Sequence, residues 1–253
     1  MLLINCEQGT PEWFEARAGV ITASMFAECR KRVDGLNEQQ TIYADSILAG
    51  DSEDTAKAKA GYKSKPTSQT IKKYLNGEPV GDFTNAAKQY AFRLAVERIS
   101  GELLDESKFD TWAMRRGREL EPEARLAHEE RKGILVEQAG IALTDDGLFG
   151  ASVDGLIDND GASEYKCFVA PESLMPILLE YDTSHVIDQV QGQLWVTERN
   201  WSDFVLYCPA LKNINKHLTI VTVERDDNFI EELESDLLLF NELVSKYEQQ
   251  LKD

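Results

Sequence analysis

Residues 150–167, GASVDGLIDNDGASEYKC, constrain the fold of this chain more than any other stretch. They read as two strands joined by a tight turn at Asn159-Asp160-Gly161, because Asp-Gly between apolar runs supplies residues that tolerate positive φ. The first strand is expected to run to about Ile157, and the second carries Glu164-Tyr165-Lys166. Alternate residues of a strand share a face. Glu164 and Lys166 therefore point one way and Tyr165 the other, while Asp154 on the partner strand comes within reach of Glu164. The hairpin gathers two carboxylates and an ammonium on one patch.

Such a patch has a chemical use. Carboxylate oxygens hold a hard divalent cation, and Mg²⁺ completes its shell with waters and substrate phosphate. A lysine beside it can orient a water or stabilise charge on a phosphate in the transition state. The competing reading is a cross-strand ion pair. Glu-x-Lys also occurs at Glu106-Ser107-Lys108 and Glu130-Arg131-Lys132, so the triplet carries no argument alone. Only the copy at Glu164 sits in a hairpin with an Asp on the opposite strand.

At 253 residues the chain suits one domain. Its net charge of −18 argues against a non-specific nucleic-acid coat. It leaves room for an enzyme that holds DNA in a local basic channel. Lys57, Lys59, Lys63, Lys65, Lys72 and Lys73 crowd a stretch with no acid from Ala56 to Asn76, to be read either as a phosphate track or as a solvated surface segment. Cys6, Cys29, Cys167 and Cys208 form no CxxC, and His128, His185 and His217 show no zinc spacing. No apolar run spans a membrane and the N-terminal stretch shows no signal-peptide pattern, so the expectation is a reduced, cytoplasmic protein without a membrane.

Along the chain, a turn at Gly9-Thr10-Pro11 opens a short helix with Trp13 and Phe14 on its buried side, and Gly19 stops it. Thr22 or Ser24 is expected to cap a following helix. A capping Ser near Arg17 is also a phosphate site in form, because helix N-termini offer unsatisfied N–H groups. Residues 33–82 are polar and read as a mostly helical, mobile excursion from the single domain. Helices are expected over 83–100, with Ala87, Tyr90, Ala91, Leu94 and Ala95 inward, and over 109–132, where Gly117 and Pro122 predict close packing or a kink. Glu121 follows this glycine and can face the hairpin or water. Residues 134–143, 203–209 and 217–224 read as strands, and 227–252 as a long amphipathic helix. Residues 184–200 read as a helix with Gln189 and Gln193 on a face adjoining its apolar stripe. Helices alternating with strands predict an α/β fold, a mixed sheet flanked by helices.

These motifs coincide in order and spacing. Trp13…Arg17-x-Gly19-x-Ile21-Thr22-Ala23-Ser24, Arg116-Gly117…Glu121-Pro122-x-Ala124, Ser152-x-Asp154-Gly155-Leu156, Glu164-x-Lys166-Cys167 and Gln189-Val190-Gln191…Trp195-Val196-Thr197 resemble the phage lambda exonuclease family. Its members are also called YqaJ-type viral recombinases or alkaline exonucleases, within the PD-(D/E)xK nucleases. The resemblance covers about residues 8–226. It implies a restriction-endonuclease-like fold and a Mg²⁺-dependent 5′→3′ exonuclease acting on ends of double-stranded DNA, with two ions and Mn²⁺ as a substitute. Such enzymes leave 3′ single strands for phage recombination, often as homotrimeric rings beside a single-strand annealing protein.

The same resemblance implies roles. Asp154, Glu164 and the backbone carbonyl of Tyr165 bind metal, Lys166 acts on the attacking water, and Glu121 and Gln189 support the site. Asp145 matches a further metal-binding acid when one residue is deleted between it and Ser152. Arg17, Ser24 and Ser152 match the residues that hold the substrate 5′-phosphate. Two departures stand out. Val153 replaces the proline of the signature, and the excursion at 33–82 is longer than in the lambda enzyme. The alternatives are a restriction-type endonuclease of the same fold, or a non-catalytic DNA-end-binding protein.

Overall fold

The structure is a computed structural model that describes residues 1–78, 80–104, 112–167, 174–180 and 182–253. Its elements are β1 (Leu2–Ile4), α1 (Pro11–Arg17), β2 (Ile21–Thr22), α2 (Phe26–Arg30), β3 (Arg32–Val33), α3 (Glu38–Leu48), α4 (Glu53–Ala60), α5 (Gln69–Leu75), β4 (Asp82–Phe83) and α6 (Asn85–Ser100). There follow α7 (Trp112–Lys132), β5 (Ile141–Leu143), β6 (Phe149–Ser152), β7 (Gly155–Ile157), β8 (Gly161–Cys167), α8 (Met175–Glu180), α9 (Ile187–Thr197), β9 (Trp201–Tyr207), β10 (Leu218–Glu224) and α10 (Asp227–Lys252). The chain divides into two compact units, residues 30–88 and the remainder. The Glu106–Lys108 triplet and the expected helix start at 109 lie outside the described residues.

Residues 30–88 carry α3, α4 and α5 around a core of Tyr43, Ala44, Ala56, Ala60 and Ile71. The expected excursion at 33–82 is thus helical and has an apolar centre of its own. Asn37 and Gln40 close a capping box on α3, satisfying N–H groups that the first helical turn leaves open. Lys57 and Lys59 pair with Asp54 at 2.7 Å and Asp51 at 2.6 Å, and Lys65 pairs with Glu53. Acids just upstream therefore oppose part of the lysine run, which is not the uninterrupted basic track its composition suggests.

The larger unit holds two mixed sheets, ordered β1-β5-β6-β2 and β10-β9-β8-β7. In the second, β8 and β9 run parallel over their full length, with Glu164 beside Phe204 and Tyr165 beside Val205. Alternation sorts these residues to opposite faces. Tyr165, Val205 and Tyr207 pack on Leu120 and Ala124 of α7. Phe204 and Leu206 pack on Val190 and Leu194 of α9 with Ile177 of α8. The expected α/β architecture holds, a sheet between helices.

Several expectations meet a different local structure. The first hairpin strand is not continuous: β6 belongs to one sheet and β7 to the other, with Val153 and Asp154 between them. The physical cause is visible in Asp154, whose Oδ2 accepts the backbone N–H of Tyr165 at 2.8 Å in place of a ladder partner. The positive-φ residue of the β7–β8 turn is Asp158, at 46°, rather than the Asp-Gly pair. Gly161 has another reason to be glycine, because a Cβ there would lie 2.3 Å from the Trp201 ring. Of residues 134–143 only Ile141–Leu143 form a strand, plus one bridge from Glu137 to Leu156. Gly140 is pressed against the backbone of Ile4, where β1 covers β5. Trp13 and Phe14 are half-buried rather than core residues. Thr22 begins a 3-10 turn over Ala23–Met25 without a side-chain cap bond. The helix α7 runs through both Gly117 and Pro122, and a Cβ at Gly117 would meet nothing closer than the Cys167 carbonyl at 3.9 Å. The apolar positions of α6 are buried as expected, and Gly101, at φ 72°, follows its end.

Candidate active site

The strand break at Val153–Asp154 decides the shape of the site. β7 covers the edge of β8 only as far as Ser163, opposite Gly155. Beyond that point no described strand pairs with the edge, and the Asp154 side chain takes the Tyr165 N–H instead. The N–H and C=O of a strand residue leave by the same edge. The Tyr165 carbonyl therefore faces the side on which Asp154 sits.

Glu164 projects toward α9 and is only 3% exposed. Its Oε1 accepts from Lys166 Nζ at 2.6 Å and from Gln189 Nε2 at 2.6 Å. Its Oε2 accepts from Gln193 Nε2 at 2.6 Å. Gln189 and Gln193 are one helical turn apart, which is why both reach the same carboxylate. A carboxylate oxygen accepts at about two lone-pair sites. Oε1 is filled, so the remaining capacity of Glu164 is on Oε2. The amide oxygen of Gln193 is buried and has no hydrogen-bond partner among the described residues.

Electrostatics tie Asp154, Glu164 and Glu121 together. Burial, then Glu164 and Glu121, push the Asp154 carboxyl well above its usual range. Burial also raises Glu121, against the pull of Arg125, with Glu164 adding to the rise. Arg125 Nη2 donates to Glu121 Oε1 at 2.6 Å, one turn along α7. Burial lowers the Lys166 ammonium, but Glu164 and Asp154 outweigh it and leave the pKa raised, so the lysine is held charged.

Buried carboxylates that repel one another are a set of hard oxygen donors whose charge a divalent cation would offset. Among the described residues no three His, Cys, Asp or Glu side chains form a ready-made cage. Mg²⁺ does not require one, since it keeps several waters and takes substrate phosphate as a ligand. Asp154, Glu164 and the Tyr165 carbonyl fit such an ion by their chemistry.

A cavity of about 180 Å³ adjoins this cluster, lined among others by Arg17, Ser24, Ser152, Asp154, Gln189 and Gln193. Trp13 Nε1 donates to Ser152 Oγ at 3.0 Å, and the Arg17 guanidinium lies 4.2 Å from the Trp13 ring centre. One aromatic thus orients both a hydroxyl and a cation. On the α7 side a larger cavity of about 410 Å³ is lined by Arg118, Glu121, Arg125 and Asp154. Asp154 stands between the two.

The structure thus brings together Asp154, Glu164, Tyr165, Lys166, Glu121, Gln189, Arg17, Ser24 and Ser152. Asp145 does not join them. Ile141 pairs with Ser152 and Leu143 with Gly150, so the turn after β5 lies at the opposite end of β6 from Asp154. There Asp145 is exposed and accepts from the Met1 amino group at 2.7 Å. Gln193, Arg125 and Trp13 join the site beyond the expected set. The spacing of Gln189 with Gln193, and of Glu121 with Arg125, was the sequence signal for the first two.

This fold is of the alkaline exonuclease type. The chain is similar over 96% of both chains to the alkaline exonuclease LHK-Exo from Laribacter hongkongensis, at 25% identity and a TM-score of 0.66. The same enzyme in complex with dAMP gives a TM-score of 0.67 at the same identity and coverage. The chain belongs to the YqaJ-like viral recombinase domain family, whose model matches residues 12–200. No curated protein sequence matches it.

Proposed function

We propose that this protein is a Mg²⁺-dependent 5′→3′ exonuclease that degrades linear double-stranded DNA and leaves 3′ single strands for recombination by strand annealing. The observation that carries the reading is the shared cavity. Arg17, Ser24 and Ser152 line it with Asp154, whose carboxyl pKa is raised by burial and then by the nearby Glu164. A terminal 5′-phosphate held there sets the first phosphodiester beside the carboxylates. Arginine grips phosphate bidentately, and the hydroxyls of Ser24 and Ser152 add donors.

Divalent ions held by Asp154, Glu164 and the Tyr165 carbonyl would supply an activated water and offset charge on the leaving 3′-oxygen. The chain's own residues do the rest. Lys166, fixed by Glu164, presents a positive charge to the attacking side and orients a water there. Gln189 and Gln193 hold the Glu164 carboxylate in one plane. Glu121, braced by Arg125, lends a further oxygen next to Asp154. The relative bound to dAMP supports a mononucleotide as product. Mn²⁺ is expected to replace Mg²⁺. A homotrimeric ring and an annealing partner follow from the resemblance, and a ring suits a chain of net charge −18 that needs a sheltered lining for DNA.

The test is digestion of linear duplex DNA labelled separately at its 5′ and 3′ ends. Early release of the 5′ label as mononucleotide supports the proposal, and early release of the 3′ label refutes it. Cleavage of covalently closed plasmid would instead show a restriction-type endonuclease. Metal-independent binding to ends without nucleotide release would show an end-binding protein.

A further inference from the structure

Behind β8, on the face opposite Glu164, lies a second polar cluster that takes no part in the steps above. His128 of α7 and Asp203 of β9 are both 0% exposed. Lys132 Nζ donates to the two oxygens of Asp203 at 2.9 and 2.8 Å, and Thr222 Oγ1 donates to Oδ1 at 2.6 Å. His128 Nε2 lies 2.9 Å from Oδ2. Burial alone would raise the Asp203 pKa, yet bonds from His128, Lys132 and Thr222 bring it below the usual value, so it is a carboxylate. A carboxylate only accepts, so Nε2 of His128 carries the hydrogen. The Tyr165 hydroxyl lies 3.0 Å from the other ring nitrogen, Nδ1, within hydrogen-bond distance.

Tyr165 is therefore gripped twice. Its phenol is hydrogen-bonded to His128 at 3.0 Å, and its backbone N–H donates to Asp154 at 2.8 Å. Its carbonyl leaves by the same strand edge as that N–H. Packed apolar side chains in place of a buried ion pair are commonly neutral or stabilising, whereas an ionic cluster fixes geometry.

We infer that His128 and Asp203 are positioning residues of the nuclease centre: through the Tyr165 hydroxyl they fix the backbone of residue 165, and with it the Asp154 carboxylate and the carbonyl offered to the cation. This rests on the nuclease reading above. The line of contacts runs from Lys132 at the surface through Asp203, His128 and Tyr165 to Asp154. Partners one step removed from a cation site typically change its affinity by about ten- to a hundredfold when lost.

Tyr165→Phe is the sharpest test, because it keeps the ring in its packed site and removes only the hydroxyl. Thr222→Val loosens Asp203 from its outer side and serves if the first variant folds poorly. Mg²⁺ alone is titrated into each protein by calorimetry, and cleavage of duplex DNA is followed against Mg²⁺ concentration. The expected result for Tyr165→Phe is a Mg²⁺ half-saturation about tenfold higher in both measurements. KM for DNA and the preference for a 5′-phosphate stay unchanged, and Thr222→Val shifts half-saturation in the same direction by less. A lowered melting temperature with unchanged Mg²⁺ affinity in both variants would make the cluster merely structural and overturn the inference. A parent protein that binds Mg²⁺ but cleaves no DNA would refute the nuclease reading, while the Mg²⁺ shift would still decide the positioning role. A parent that binds no Mg²⁺ overturns both.

Discussion

Gln193 holds the second oxygen of the Glu164 carboxylate at 2.6 Å, while its own amide oxygen is buried with no hydrogen-bond partner among the described residues. A buried polar atom left unpaired costs about 1–3 kcal/mol. The cost is met if the oxygen receives a donor when the adjoining cavity is filled. The amide cannot simply be reversed, since its oxygen would then face the carboxylate.

Gln193→Leu should therefore lower turnover by at least about tenfold, with KM for duplex DNA changed by no more than about twofold. Glu164 would lose one of its restraints and gain freedom to leave its plane. Steady-state kinetics on a 5′-phosphorylated duplex checks this. Equal turnover in parent and variant would remove Gln193 from the site.

Lys166→Ala should abolish cleavage, by about a hundredfold or more, and leave folding and DNA binding intact. The ammonium contacts Glu164 but is not part of the apolar core, so its loss leaves the sheet packing in place. Gel-shift binding in Ca²⁺ and nuclease assays in Mg²⁺ separate the two effects. Near-normal cleavage would remove the lysine from the mechanism.

A 5′-phosphate should speed digestion, and Arg17→Ala should remove most of that advantage. A charge-assisted contact of this kind contributes about 1.5–3 kcal/mol, or roughly ten- to a hundredfold in rate. The comparison uses phosphorylated and hydroxyl 5′ ends with both proteins. Equal rates on both ends in the parent would mean that the cavity does not hold the phosphate.

Gly192→Ala should destabilise the fold by about 1–3 kcal/mol. A Cβ at this position would lie 2.3 and 2.5 Å from the Phe26 ring, which is fully buried. The helix α9 must then shift, and it carries both glutamines. Thermal melts give the stability change, and a fall in turnover of the folded variant is expected with it.

Asp203 makes stability depend on pH in a defined direction. Its folded pKa lies below the unfolded value of about 3.9. The stabilisation is therefore complete above that value and is lost as pH falls through the folded pKa. Asp203→Asn should be less stable by about 3 kcal/mol at neutral pH. The gap should narrow below about pH 4, as the parent carboxylate is protonated. Urea titrations from acid to neutral pH would show it, and a gap that widens toward acid would contradict the assignment.

The amino-acid sequence by itself determined which residues share a face and where chain direction must reverse. Period-two alternation put Glu164 with Lys166 on one face and Tyr165 on the other, and helical spacing put Gln189 with Gln193 and buried the α6 stripe. These are local rules of backbone geometry, and they need no knowledge of what packs opposite. The strand break at Asp154 was not legible, because it depends on a side chain competing for the N–H of a residue eleven positions away. Nor was the exclusion of Asp145, which follows from the β5–β6 register and from the Met1 amino group reaching the turn. The His128–Asp203 pair had no sequence signal at all. Those residues are 75 apart, and only the parallel pairing of β8 with β9 under α7 brings them to 2.9 Å. Contacts across such separations depend on how whole elements pack, and that is decided by the summed burial of the core rather than by any stretch of the chain.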